Sequence, residues 1–314
     1  MQVFLENFLL SLPLFLIVGL GYGFARCRLI SAQVGQALSK FAFTVALPLL
    51  LFRVMSNITQ MPTPDWRIAI AFFGSCFILF AVSRLLAARF FRLDADGQTL
   101  FGMATVFSNN VQLGIPLTIA LLGEGALPSV AVIFSLNGFL MWTLVTVAIE
   151  LGRAKSPSLR QTITRGIWQT LKNPIVVGII AGFLWSISTL SMPAALGKTI
   201  SLLADAASPV ALFAVGVSLT QFSLSETLRQ SSAISVLKLL AQPLLVYGLG
   251  RAMELPLVSM QAAVLLAALP VGVNVCLMAE QFKSLEAASA TSLLLSTLAA
   301  SISAPLVMSA LGLL

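Results

Sequence analysis

Residues 107–121 read FSNNVQLGIPLTIAL, an apolar segment that carries Asn109, Asn110 and Gln112 almost side by side and then Gly114 and Pro116. Such a segment should not run as an ordinary helix. Pro116 supplies no backbone donor and its ring clashes with the carbonyl four residues earlier, while Gly114 lowers helix propensity beside it. Backbone groups freed in hydrocarbon find no water, so irregular backbone at membrane depth survives only where protein buries it or where it lines a wet cavity. Two readings follow: a broken helix that builds a binding site, or a proline-kinked helix whose amides bond to neighbouring helices.

The membrane setting comes from composition. Of 314 residues, 58% are hydrophobic and 9% charged, with a mean hydropathy of +1.00, whereas soluble domains are about 25% charged. No polar stretch is long enough to form a separate soluble domain. The apolar run at the N-terminus, MQVFLENFLLSLPLFLIVGLGYGFARCR, is too long for a cleaved signal and reads as a first span. The net charge of +7 does not point to nucleic acid, because Lys and Arg sit in short loops where they act as orientation signals. Cys27, Cys76 and Cys276 lie in or beside different apolar runs without metal spacing, as packing residues would. The chain has no His, which excludes histidine metal sites, imidazole relays and Ser/His/Asp or Cys/His catalysis. No phosphate-binding loop of the G-x-x-x-x-G-K-[ST] type occurs, so neither a cofactor nor direct ATP drive is expected.

Apolar runs give ten spans, near 4–24, 33–55, 66–88, 98–121, 128–150, 173–190, 197–220, 230–250, 257–281 and 286–312. The basic connector 151–172 divides them into two sets of five, 1–150 and 173–314. With the N-terminus outside, the inner loops hold Arg26, Arg28, Arg84, Arg89, Arg92, Arg153, Lys155, Arg160, Arg165, Lys172, Arg229 and Lys283, and the outer loops only Arg53, Arg67, Lys198 and Arg251. That imbalance favours an N-out, C-out chain; the expected location is a bacterial inner membrane, with both termini periplasmic. Five spans per half force the second half to enter inverted. A displacement of 161 residues lays Pro13 on Pro174, Gly21 on Gly182 and Pro48 on Pro209, and LPLLLF on SPVALF. It also sets Asn109 opposite Pro270, in ALPVGVNVCLMAE, where Pro270, Gly272 and Asn274 again fall within five residues. Interrupted spans at corresponding positions of two inverted halves point to a transporter's central site.

These pieces carry a family pattern. LPLFLIVGLGYGFARCRLIS, FTVALPLLLFRVMS, NNVQLGIPL, NPIVVGIIAGFLWSI, ASPVALFAVGVSLT, ALPVGVNVCLMAEQF and LLLSTLAASISAPLV, in that order and spacing, resemble the auxin efflux carrier family, which includes plant PIN proteins and bacterial carriers of small organic acids. The resemblance implies an all-α integral membrane fold of two inverted five-helix repeats, similar to bile-acid sodium symporters. Spans 1, 2, 6 and 7 would form a scaffold, and spans 3–5 with 8–10 a transport domain. The fourth and ninth spans would break and cross at Pro116 and Pro270, with substrate near the crossing. It also implies a homodimer through the scaffold. The chain lacks the long cytoplasmic loop of the plant members, and Asn274 stands where they carry an apolar residue, so auxin is not the expected substrate.

Half-helix N-termini at such a crossing present free N–H groups and partial positive charge, which suit an anion. Asn109, Asn110, Gln112 and Asn274 add donors without a fixed charge, and each has interhelical bonding as its alternative role. Lys238 lies nine residues past Arg229, roughly 14 Å along a helix and so near mid-membrane. It could face the anionic substrate, pair with Asp205 or Glu280, or snorkel to the inner face. Asp205, Lys238 and Glu280 are the candidates for taking a coupling H⁺ or Na⁺, with an ion pair as the equal alternative for Asp205. Asn137 and Gln242 read as interhelical glue or site amides. Pro48 and Pro209 would kink scaffold helices toward the site, with Phe52 or Phe213 as apolar walls, and Trp142, Trp168 and Trp185 fit interfacial anchors. The expected activity is secondary transport of a mono- or dicarboxylate such as malonate or malate, by an elevator-like shift of the transport domain. An anion channel with the broken helices as filter is the alternative. An intramembrane enzyme is weakest, since the site offers no His, no paired carboxylates and no cysteine beside a base.

Overall fold

The computed structural model describes residues 2–60, 65–153, 164, 167–168, 170–188, 190–222 and 227–313. Most of the 151–172 connector, with Lys155, Arg160 and Arg165, lies outside the described residues. Within them the chain forms fifteen α-helices and no strand. In order these are α1 Gln2–Arg26, α2 Ala32–Phe41, α3 Leu47–Met55, α4 Arg67–Phe91, α5 Ala95–Val106, α6 Ile115–Leu122, α7 Leu127–Gly152, α8 Pro174–Ile187, α9 Ala194–Asp205, α10 Ala207–Leu219, α11 Leu228–Val236, α12 Gln242–Ala252, α13 Leu257–Ala267, α14 Val273–Phe282 and α15 Glu286–Ala310. Seven helical runs are long and apolar enough to cross a membrane. Three shorter apolar helices, Asn110–Leu122, Pro174–Ile187 and Leu257–Ala267, fall where the fourth, sixth and ninth spans were expected. Leu5, Leu9, Leu16 and Leu20 of α1 and Phe183, Leu184 and Ile187 of α8 are exposed, an outward apolar surface that hydrocarbon accommodates and water would not.

Polar caps fix several helix starts. Ser31 accepts from the Val34 amide before α2, Asp94 from Gly97 before α5, and Asn173 from Ile175 before α8, where Pro174 takes the first helical position. Three prolines have a second effect. Five-residue π-turns at Ala42–Ala46, Asn110–Gly114 and Leu237–Ala241 each end two residues before a proline: Pro48, Pro116 and Pro243. A proline cannot donate to the carbonyl four residues back and crowds it. Widening the preceding turn by one residue absorbs that conflict without ending the helix. The expectation that the fourth span breaks at Gly114 and Pro116 is therefore corrected. Those residues stay helical, and the chain leaves the helix earlier, at Phe107–Asn109.

Two glycine seams tie the first and second halves of the chain together. α1 packs along α10, and α3 along α8. A Cβ on Gly21 would strike the Phe213 carbonyl, and one on Gly216 the Val18 carbonyl. On the other seam, Gly178 faces the Pro48 backbone and Gly182 the Phe52 carbonyl. In hydrocarbon, close backbone approach of this kind is a main source of helix affinity. Elsewhere α4 packs on α5 and α12, α12 on α13, and α11 on α15, around buried Phe72, Leu100, Phe101 and Met103.

Candidate functional site

The site is built where two interrupted segments meet. α5 ends at Val106, and Phe107 is extended at φ −87°, ψ 100°. Asn109, at φ −75°, ψ 61°, turns the chain as an inverse γ-turn, with the Asn110 amide donating to the Ser108 carbonyl at 2.8 Å. Helical structure resumes with the π-turn that opens at Asn110. In the second segment α13 ends at Ala267 and α14 begins at Val273, leaving residues 268–272 non-helical. The two interruptions are bonded to each other. The Asn109 amide donates to the Pro270 carbonyl at 2.9 Å, and the Gly272 amide to the Phe107 carbonyl at 2.8 Å. Ser108 and Val271 form an antiparallel bridge, and the Val271 amide reaches Ser296 Oγ at 3.0 Å. Backbone polarity that lipid would leave unmet is thus satisfied inside the protein. Gly272 has an ordinary φ of −78°, so its requirement is space: a Cβ there would lie 2.9 Å from the Ser108 carbonyl oxygen.

Four helical ends converge at these breaks. Val106 and Ala267 close their helices, so their carbonyls lack intrahelical partners. Gln242 Nε2 donates to the Val106 carbonyl at 3.0 Å, and Lys238 Nζ to the Ala267 carbonyl at 2.7 Å. On the far side of each break, the π-turn and α14 begin with the positive pole of a helix dipole and first-turn N–H groups, of which that of Asn110 turns back to Ser108 and that of Val275 to Gly272.

A cavity of about 500 Å³ opens against these N-terminal ends. Phe107, Ser108, Asn109, Asn110, Val111 and Gln112 line it from the first break, and Gly272, Val273, Asn274, Cys276, Leu277 and Glu280 from the second. Gly35, Gln36, Ser39 and Phe43 face it from the second span, Asn137 from α7, and Ser218, Gln221 and Phe222 from the end of α10. Among the described residues Glu280 is its only fixed-charge candidate, and no Lys or Arg lines it. Ser108, Asn109 and Asn110 are 1%, 6% and 2% exposed. Yet Ser108 Oγ, Asn109 Nδ2 and both side-chain polar atoms of Asn110 have no hydrogen-bond partner among the described residues. Each buried polar group without a partner costs about 1–3 kcal/mol, and such groups gathered on one cavity wall mark a place for a ligand. Gln112 is partly satisfied, its Nε2 donating to Ser39 Oγ at 3.3 Å.

Of the residues expected at the site, Asn109, Asn110, Gln112, Asn137, Gly272, Asn274 and Glu280 come together on this cavity. Gly114, Pro116 and Pro270 lie just behind it: Pro270 gives its carbonyl to Asn109, and Gly114 packs on Leu266 and Leu269. Four other candidates lie off this cavity lining. Pro48 is spent on the α3–α8 seam. Phe52 stacks edge-on against Trp185, ring centroids 6.3 Å apart, and with it lines a separate cavity. Asp205 is bonded to Arg53 at 2.7 Å, and Glu124 to the same guanidinium at 2.8 Å; this cluster stands away from the cavity lining. Lys238 pairs with neither Asp205 nor Glu280 and is absent from the cavity wall, its ammonium going to a main-chain carbonyl. Gln36, Ser39, Phe43, Gln221 and Phe222 were not anticipated. Their signal was the i, i+3, i+7 spacing of Gln36, Ser39 and Phe43 on one helix face, inside a span read only for its proline.

Known proteins resemble this chain over most of its length. The profile of the family described as "Membrane transport protein" matches residues 8–308. A protein of Rhizobium meliloti (strain 1021) named "Putative malonate transporter" is 29% identical over 295 residues, covering 92% of this chain and 91% of that one. With interrupted helices bonded to each other, a ligand-sized cavity at their positive ends and a family match over nearly its whole length, the chain belongs to the membrane transport protein family, the auxin efflux carriers.

Proposed function

We propose that this chain is a secondary carrier of a small organic anion, a mono- or dicarboxylate such as malonate. The observation that carries the reading is the set of unpartnered polar atoms on Ser108, Asn109 and Asn110, turned onto a cavity where two helical segments begin. Those amide groups and first-turn N–H donors hold a carboxylate by hydrogen bonds and dipole, with no lysine or arginine among the described lining residues to trap it. A carrier must release what it binds, and a site without a fixed countercharge favours that. The name of the Rhizobium meliloti relative supports malonate as the first substrate to try.

The architecture we infer is ten spans in two inverted repeats, the fourth and ninth broken and crossing. Its support is the 161-residue displacement: Gly21 packs on Phe213 and Gly182 on Phe52, and that displacement carries Gly21 to Gly182 and Phe52 to Phe213. The α1–α10 and α3–α8 seams belong to a scaffold, and the bundle holding both breaks is the moving part. The cavity is rimmed by the start of α2 and the ends of α10 and α14, next to the basic loops assigned to the cytoplasm, so the arrangement is inward-facing. At the opposite end Arg53 joins α3 to Asp205 of α9 and to Glu124 beside α6, a tie between scaffold and moving bundle that opens when the site turns outward.

The test uses purified protein in proteoliposomes loaded with unlabelled malonate. Labelled malonate should accumulate transiently by counterflow, saturably, and compete with other short carboxylates. Ohmic single-channel currents in planar bilayers without counterflow would replace the carrier by a pore. No response to any carboxylate, in flux or in thermal stability, would remove the anion reading.

A further inference from the structure

Lys238 is the one charged side chain among the described residues that is completely buried. It has no carboxylate partner there: the four ion pairs involve Arg53, Arg67 and Arg153. Its Nζ donates to the carbonyl of Ala267 at 2.7 Å, and Ala267 closes α13 at the edge of the second break. One helical turn further on, Gln242, also completely buried, donates to the carbonyl of Val106, which closes α5 at the edge of the first break. A single proline-bulged helix therefore serves the negative ends of both interrupted segments. Half-helix carbonyl ends meeting at mid-membrane are the places where transporters coordinate a free monovalent cation. Here the first end receives a neutral amide, assisted by Cys76 Sγ 3.9 Å from the same carbonyl. The second receives a cation that the chain carries itself.

We propose that Lys238 is a tethered cation that takes, at the C-terminal end of α13, the position a diffusible Na⁺ would occupy. Substrate then binds and moves without Na⁺, and deleting the side chain creates a site that Na⁺ can enter. The inference rests on the carrier reading and deepens it by assigning the coupling cation. Because Lys238 is absent from the cavity wall, it acts as a positioning residue: it holds α13 and the 268–272 segment that presents Gly272 and Asn274 to the anion.

The experiment has a binding arm and a transport arm. In detergent, melting of the wild type should be the same within about 1 °C in NaCl, KCl and choline chloride of equal ionic strength. Lys238→Ala should melt lower in choline and be raised selectively by NaCl, by several degrees, while Lys238→Arg behaves as the wild type. In proteoliposomes, wild-type malonate counterflow should be equal in the three salts. Lys238→Ala should fall about tenfold or more in choline and recover mostly in Na⁺. Na⁺-dependent stabilisation or transport of the wild type overturns the proposal, as does Lys238→Ala that gains no Na⁺-selective response in either arm. If the wild type moves no carboxylate in any salt, the carrier reading fails while the melting arm still decides Lys238. Should Lys238→Ala not survive extraction, the volume-matched Lys238→Met and the wild-type salt comparison decide: equal melting of the wild type in all salts supports the tethered cation, and Na⁺ dependence ends it.

Discussion

The two interruptions that meet at the cavity are unlike. The first, at Phe107–Asn109, resumes through a π-turn and carries Asn109, Asn110 and Gln112. The second, at residues 268–272, resumes directly as α14 from Gly272 and offers a single amide, Asn274. Side-chain polar atoms are left unpaired at the first, whereas at the second the contact is main chain, with no room for a Cβ on Gly272. Their rear ends differ too, an amide behind the first and an ammonium behind the second. The lesson is a division of labour. One break supplies adaptable donors for the ligand, and the other supplies a rigid main-chain strut and the fixed charge behind it.

That comparison can be broken most forcefully at the strut. Gly272→Ala must displace a main-chain oxygen rather than a side-chain tip, so a cost near the upper end of the 1–3 kcal/mol typical of overpacking is expected, roughly. Transport should fall by about two orders of magnitude, since the donors of both breaks shift together. Near-normal counterflow and melting in this variant would show that the main-chain contact is not the strut. Next comes the adaptable side. Asn109→Ala should weaken carboxylate binding by about 10- to 150-fold, the worth of one hydrogen bond to a charged group, about 1.5–3 kcal/mol. Its melting temperature should hold or rise, because a buried amide without a partner is removed. A fall in stability with unchanged affinity would make Asn109 structural instead.

Behind the first break, Gln242→Leu should leave the Val106 carbonyl without its main donor and destabilise by about 1–3 kcal/mol. The effect should be the same with or without substrate, as read from melting curves across a malonate titration. The smallest effect is expected at Gly114→Ala. Its Cβ would crowd the tips of Leu266 and Leu269, at 2.8 and 3.1 Å, and touch the Phe134 ring at 3.8 Å. Its backbone is already helical at φ −64°, so crowding and gained helix propensity nearly cancel, within about 1 kcal/mol. A large loss there would mean that the first break is as tightly fitted as the second.

Much of the site was legible from residue types. Asn109, Asn110, Gln112, Gly272 and Asn274 stand out because amides and glycine are costly in an apolar helix and are kept only for a reason. The proline signal misled by several residues. Pro116 was read as the break, yet the chain breaks at Phe107–Asn109, because a π-turn can absorb a proline whereas nothing local announces where two backbones will exchange hydrogen bonds. Lys238 was legible as a buried charge. Its partner was not, because a main-chain carbonyl is the same at every position and only the end of α13 singles out that of Ala267. Asp205 was read as deep, but the helix ends there and Arg53 reaches it.

The sequence by itself determined a helical membrane chain, with interruptions in two named segments and amide side chains beside them. Those follow from hydropathy, proline and glycine chemistry, and the residue types present, all of which act locally. Tertiary structure alone decided which carbonyl meets which amide across residues 107–109 and 270–272, that Lys238 and Gln242 close the two half-helices, and that Gln36, Ser39 and Phe43 face the cavity. Those depend on segments far apart in the chain arriving at one point, and a hydrogen bond between distant backbones leaves no mark on the letters that make it.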